Sequence, residues 1–559
     1  MLVNIPCEKN NIRKIVHSTV SRVKEFRCNN NYQRKNKIST ERVGNARNSI
    51  TYVFSRNNLY LRGSELADFA KIVWTYWTIN AFLIYYMTDM NDMKYTFQVA
   101  EPYPYSDAIY DAYEDPPECP QMLASDPIGN LDCLRLNIYV PNKASSRNKL
   151  PVIVWLHGGG FSVGYNKQNY FGGKYLVNHD VIVVAPNYRL GVYGFMCLDT
   201  PEVPGNQGLK DQLRALRWIK DNIASFGGDV NKITLMGESA GSTSVEAHIV
   251  SKTEKLFNNV ILQSGTLFKP RVISKPDLNA PIKIAEQLGL QTNNKSEALK
   301  FLSTADPKLV IAATSNLPIE FTLCLEKEFD NVENILVEMP YRTDAPKVNG
   351  INVLAGYTSR EGLILNAKSP YDYIENPNYF RKTLGEVFKY DEGFDQMVDI
   401  VRNFYVANAN LSEDDTNIIN FKGDFFYNNP LQRSLGKLLQ NGANSIYQYL
   451  FSYDGDLNYI KNKYNISLGG ASHGDELGYL FVMSDDRTAP SAEDQMVIDR
   501  MTTIWTNFAK YGYGTNIWYY SDLTMISRPF NSRLAFWELF YTANERRLKD
   551  LTINDDIYY

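Results

Sequence analysis

Two hydrophobic rhythms alternate along this chain from residue 136 onward. Short apolar runs rich in β-branched residues recur at 136–140, 152–156, 181–185, 233–236 and 260–262, and two later runs at 352–357 and 445–453 have the same character. Runs this continuous, without polar alternation, predict strands buried on both faces of a sheet. Helical periodicity separates several of them. The clearest helix is predicted over 209–226, where Leu209, Leu213, Leu216, Ile219 and Ile223 fall on one face and Gly227-Gly228 ends the pattern. Strands alternating with helices predict an α/β fold with a mostly parallel central sheet flanked by helices. The stretch between about 265 and 440 is more helical and polar, as cap insertions over the sheet's carboxyl edge would be. No internal repeat or low-complexity linker divides the chain, so one body is expected over 56–559, preceded by a divergent extension at 1–55.

The first eighty residues lack this rhythm. Residues 72–87 form the one strongly apolar stretch, but it is shorter than the roughly 20 residues of a membrane-spanning helix. Thr75, Thr78 and Asn80 also interrupt it, so it is expected to be buried core, with no membrane span. The 44% hydrophobic and 21% charged residues are ordinary for a globular protein, and a net charge of −4 over 559 residues gives no footprint for nucleic acid. Residues 1–47 carry 11 Lys plus Arg against 3 Asp plus Glu, a basic start to an otherwise acidic chain. Charged residues follow the first few positions where a secretory signal would have its apolar core, so none is expected there. Of six cysteines only Cys119 and Cys133 lie close enough, in loop-like surroundings, to suggest a local bridge, and no CxxC spacing marks a metal site. Asn294, Asn410 and Asn465 head Asn-x-Ser glycosylation sequons, which a chain rich in Asn also yields by chance.

Chemistry concentrates at Gly237-Glu238-Ser239-Ala240-Gly241. In a Gly-x-Ser-x-Gly pattern the serine sits on a strained strand-to-helix turn that lifts its hydroxyl into a pocket, and the flanking sequence here changes from strand-like to helix-like at that point. A serine nucleophile needs a base and a group to orient that base. Of the five histidines, His17 lies in the basic extension, His179 before a strand and His248 in the helix after Ser239. His473 stands in the Gly-rich loop 469–481 after the last strand, where open α/β sheets carry catalytic groups. The order serine, acid, histidine places the carboxylate between them, and Glu361, just beyond the strand ending near Tyr357, is the best candidate. An oxyanion hole is suggested by His157-Gly158-Gly159-Gly160-Phe161, directly after a predicted strand, because successive glycines leave backbone amides uncovered. The amide of Ala240 would be the third donor.

In carrying these motifs the chain resembles the type B carboxylesterases of the carboxylesterase/cholinesterase family, and insect esterases most. The resemblance spans about 80–540 and also rests on Cys119-Pro120-Gln121, Asp132-Cys133-Leu134, the segments 187–191, 205–212 and 226–229, Gln263-Ser264-Gly265 and the segment 505–510. It implies the α/β-hydrolase fold, a Ser239, Glu361, His473 triad, and an oxyanion hole from the amides of Gly159, Gly160 and Ala240. It also implies a Cys119–Cys133 disulfide, a buried Arg189–Asp211 ion pair, a small-molecule ester as substrate, and no metal or cofactor. Departures from the family pattern are specific. Leu131 replaces a family glutamate, and Thr96-Phe97 replaces the Arg-Phe that would pair with it. The loop between Cys119 and Cys133 has no Trp, which counts against a quaternary ammonium substrate. Juvenile hormone esterases typically carry Gln before the nucleophile, whereas Glu238 stands here.

The expected function is therefore ester hydrolysis through an acyl-enzyme. The alternatives are a non-catalytic adhesion or binding relative, or a scavenger of hydrophobic esters with slow turnover. The bridge and the family suggest a secreted or secretory-lumen protein, the missing signal a cytoplasmic one. Oligomeric state is not legible in the sequence.

Overall fold

The computed structural model describes residues 96–98, 114–369, 376, 378–406, 416–483, 489–512 and 531–549, together with the backbone of a few short strands before them. Most of the extension at 1–55, His17 and Asn410 lie outside the described residues. The sheet at the centre is built from β1 (Ile79–Tyr85), β2 (Arg135–Pro141), β3 (Leu150–Leu156), β4 (Ile182–Pro186), β5 (Gly228–Glu238), β6 (Asn259–Gln263), β7 (Asn352–Thr358) and β8 (Ser445–Phe451). Their spatial order is β8-β7-β6-β5-β3-β4-β2-β1. The run from β8 to β4 is parallel, and β2 and β1 close that edge antiparallel. The apolar stretch at 72–87 thus supplies an edge strand. Among the described residues no helix is long and apolar enough to cross a membrane.

Each predicted strand is present, with ends moved by a few residues. Alternate side chains of one strand point to opposite faces. In β3, Val152, Val154 and Leu156 pack into one core while Ile153 and Trp155 pack into a second on the other side. The sheet is therefore covered twice, which is why its strands read as unbroken hydrophobic runs. The first face is covered by α1 (Gln207–Asn222) and α2 (Ala240–Val250), with Leu209, Leu213, Leu216 and Ile219 of α1 all buried. A 3-10 turn at Ile223–Phe226 extends α1, and Gly227 ends it in the left-handed region at φ 78°. The second face is covered by α3 (Ala492–Tyr511), through Trp505 and Phe508.

The insertions between β6 and β8 are helical, as their pattern predicts, but they are not merely polar. Phe394, Phe421 and Phe425 gather around Trp537, from the C-terminal helix Ser532–Asn544, into a separate aromatic core. Among the described residues two buried disulfides are present: Cys119–Cys133, across a separation of 14, and Cys197–Cys324, across a separation of 127. The sequence suggested the first and gave no sign of the second. Arg189 and Asp211 form the expected ion pair, both side chains fully buried, with contacts of 2.6 and 2.7 Å. Lys210 pairs beside it with buried Glu326 at 2.7 Å. Where the family's other salt bridge is missing, Leu131 joins the apolar core and Thr96, at the arginine's position, is buried and neutral, so no stranded charge remains. Asn294 of the first sequon caps the helix Lys295–Thr304, its side chain accepting from the amides of Ser296 and Glu297.

Candidate active site

Ser239, Glu361 and His473 follow β5, β7 and β8, three parallel strands whose carboxyl ends lie side by side with β6 among them. Ser239 adopts φ 54° and ψ −121°, a backbone conformation that an L-residue occupies only when its surroundings impose it. The surroundings do so tightly. A Cβ on Gly237 would lie 2.3 Å from the carbonyl carbon of Gly241, and one on Gly241 would lie 2.0 Å from the oxygen of Leu156. Only glycines let the strand turn into α2 so close to β3. The Ser239 amide donates to the Gln263 carbonyl at 2.8 Å, tying the elbow to the end of β6.

His473 is held from both sides of its loop. Asp475 accepts from the amides of Ser472, Ile460 and Lys461, and the Ala471 amide donates to Ser359 Oγ beside the Glu361 turn. His473 Nδ1 lies 2.7 Å from Glu361 Oε2. The other oxygen of Glu361 accepts from Ser264 Oγ at 2.6 Å and from the Thr358 amide at 2.7 Å, so the carboxylate is fully buried and fixed. Burial lowers the His473 pKa below its ordinary value against the opposing pull of Glu361, which keeps the imidazole neutral and able to accept a proton. Nε2 approaches Glu238 Oε1 at 3.2 Å without hydrogen-bond alignment. Ser239 Oγ makes no hydrogen bond to another described residue.

The sequence marked Glu238 as a motif position and as a departure from the Gln of juvenile hormone esterases, and assigned it no side-chain neighbour. In space it is the centre of the site. A Cβ on Gly158 would lie 2.6 Å from its Oε2 and one on Gly474 would lie 3.3 Å from its Oε1, so the Gly-rich loop and the histidine loop meet across it. Burial, and then the charges of Glu476 and Glu361, raise its pKa well above the usual carboxylate range. Glu476, buried and bonded by Gln263 Nε2 at 3.1 Å, is pushed up to about 8 by burial and by Glu361. Three carboxyls crowd this edge, and Glu238 and Glu476 are driven toward their neutral forms beside Glu361.

The Gly-rich loop after β3 has the conformation its glycines permit. Gly159 and Gly160 stand at φ 117° and 64°, and a Cβ on Gly159 would lie 1.9 Å from the Val163 oxygen. The amides of Gly159, Gly160 and Ala240 donate to no other described group. The remaining described histidines are structural: His248 Nε2 bonds Gln212 at 3.0 Å, His179 bonds Thr502 at 2.9 Å, and His157 stacks on Tyr188 with ring centroids 4.3 Å apart.

A model described as the carboxylesterase family matches residues 93–556. The chain belongs to the carboxylesterase family. It is a carboxylic ester hydrolase, and its relatives agree. A juvenile hormone esterase of Tribolium castaneum is 31% identical over 418 residues, covering 69% of this chain and 71% of that protein. Esterase FE4 of Myzus persicae is 31% identical over 411 residues, with the same two shares. Among solved structures, the juvenile hormone esterase from Manduca sexta with OTFP covalently attached superposes with a TM-score of 0.74 at 26% identity, covering 83% of this chain and 95% of that one. Within this carboxylesterase fold the two disulfides are of the kind that form and persist in oxidising compartments.

Proposed function

We propose that this carboxylesterase hydrolyses esters through an acyl-enzyme on Ser239. His473 Nε2 takes the hydroxyl proton as Ser239 Oγ attacks the ester carbonyl, and the same proton passes to the leaving alcohol oxygen as the carbon–oxygen bond breaks. A water then gives a proton to His473 while its oxygen attacks the acyl carbon, and the acid leaves as Ser239 recovers its proton. Glu361 keeps the Nδ1 proton in place and stabilises the imidazolium between these transfers. The amides of Gly159, Gly160 and Ala240 receive the oxyanion, where one such donor typically contributes about 3 kcal/mol to barrier lowering.

The observation that carries this reading is the 2.7 Å contact from Glu361 to His473 at the same sheet edge as a serine held at positive φ. The OTFP bound covalently to the Manduca sexta relative is in keeping with covalent chemistry in this family. We assign residues 56–559 to the catalytic body and a secreted or secretory-lumen location to the protein. A fluorophosphonate probe should label Ser239 and leave the folded Ser239→Ala variant unlabelled; labelling at another serine would overturn the assignment. A product burst equal to the enzyme concentration with almost no steady state would mark a scavenger instead of a turnover enzyme.

A further inference from the structure

Beyond the triad, the site holds a cation that the reaction does not use. Lys269 lies in the loop that leaves β6 six residues after Gln263, the residue whose carbonyl anchors the Ser239 amide. Its Nζ is 4.4 Å from the centroid of the Tyr427 ring and 3.4 Å from the Tyr427 hydroxyl. The same ring packs on His473 with centroids 4.4 Å apart. Ammonium and imidazole are thus neighbours across one tyrosine. An ammonium has three donors, and a single long hydrogen bond to a neutral phenol meets one of them. Lys269 has no ion pair with a described carboxylate. The two acids nearest in influence, Glu361 and Glu238, both lie against His473 instead, at 2.7 and 3.2 Å. Lys269 is half-buried, as is Ser239.

We propose that Lys269 is a specificity residue that receives a carboxylate carried by the substrate, so that half-esters, with one ester and one free carboxylate, are the preferred substrates. A substrate carboxylate would supply the charge-assisted partner that the protein leaves out, in a half-buried place where such a contact is stronger than in water. The preference has a direction in pH. Burial pushes the Lys269 ammonium down to about 8, with Glu361 and Glu238 opposing that fall and Lys368 adding to it, while Tyr427 and His473 are the other titratable groups facing it. The preference is therefore full below that pH for as long as the substrate carboxylate is ionised, and fades as pH rises through the Lys269 pKa.

The proposal rests on the esterase reading above, and the test separates the two. Monomethyl adipate is compared with methyl hexanoate, and 4-acetoxybutyrate with butyl acetate, so that the carboxylate is carried once on the acyl and once on the alcohol side. For at least one pair, Lys269→Met should lower the ratio of charged to neutral kcat/KM by on the order of tenfold, with Lys269→Arg keeping most of it and the neutral ester little changed. Calorimetric binding of the same half-esters to the Ser239→Ala chain should weaken equally on adding Lys269→Met, a readout that needs no turnover. Equal loss on charged and neutral esters, or unchanged ratios and binding, would overturn the proposal. Failure of the wild-type chain to cleave any ester, with half-ester binding still dependent on Lys269, would overturn the catalytic reading alone.

Discussion

Replacing Glu361 by Gln tests the centre of the proposed mechanism with the smallest change in shape. Oε1 of Glu361 accepts from Ser264 and Thr358, so the Gln carbonyl oxygen is drawn to that side and its NH2 group faces His473 Nδ1. Nδ1 must then accept, which moves the imidazole proton to Nε2, the nitrogen that should receive the Ser239 proton. The charge is lost as well. With both side chains buried, opposite charges about 4 Å apart attract by about 4 kcal/mol at an effective dielectric of 20. That attraction is realised when the imidazolium forms, so kcat should fall on the order of a thousandfold, with KM little changed. The pH profile gives a second sign. Activity needs neutral His473, whose pKa lies below its ordinary value, so the wild-type rate is present above that pKa and is lost as pH falls through it. Glu361 is the group that raises this pKa, so its removal should move the acid limb to still lower pH. The assay is steady-state hydrolysis of a 4-nitrophenyl ester from pH 4 to 9 on protein whose melting point matches wild type. A kcat within tenfold of wild type would refute the role of Glu361.

Asp211→Ala strands the fully buried guanidinium of Arg189 and should cost about 3–5 kcal/mol, read from the denaturant midpoint, while the double change Arg189→Met/Asp211→Leu should recover most of the loss; a single variant costing under about 1 kcal/mol would contradict that reading. Breaking Cys197–Cys324, which closes a separation of 127 residues, should remove about 4–5 kcal/mol on the chain-entropy account and lower the melting point of Cys324→Ser. Absence of a linked Cys197–Cys324 peptide under non-reducing digestion would show that the bridge does not form. Gly241→Ala places its Cβ 2.0 Å from a β3 carbonyl and should abolish soluble folding, whereas Gly160→Ala meets nothing within 4 Å and should cost only the roughly 1–2 kcal/mol of a left-handed residue; equal yields of the two would refute the packing argument.

The parts of this protein that rest on short-range physics were legible in its residues. The seven strand runs from 136 onward, the α1 stripe of Leu209, Leu213, Leu216 and Ile219, and the glycines at 237 and 241 follow from periodicity and backbone sterics within a few residues. The positions of Ser239, Glu361 and His473 were legible for a related reason: the first two lie just beyond strands and the third in a Gly-rich loop of the connection after the last one, and parallel strands bring their carboxyl ends to one edge. What joins distant segments left no local trace. Tyr427 comes from a π-helical turn in the cap, 158 residues from Lys269, and the polarity of that region says nothing of which side chain meets the imidazole. Cys197 and Cys324 have no spacing that marks them as partners.

Glu238 shows the division most plainly. As the second residue of a Gly-x-Ser-x-Gly pattern it was a letter in a motif, and its side chain had no assigned neighbour. Packing against Gly158, Gly474 and His473 turns it into a buried carboxyl held near its neutral form. The sequence alone determined the sheet, the elbow and the chemical types placed along its edge, because those depend on period, glycine and order along the chain. Only the tertiary structure decided which charges share that edge, and so which protons and substrates it favours, because burial and Coulomb interactions depend on distance in space.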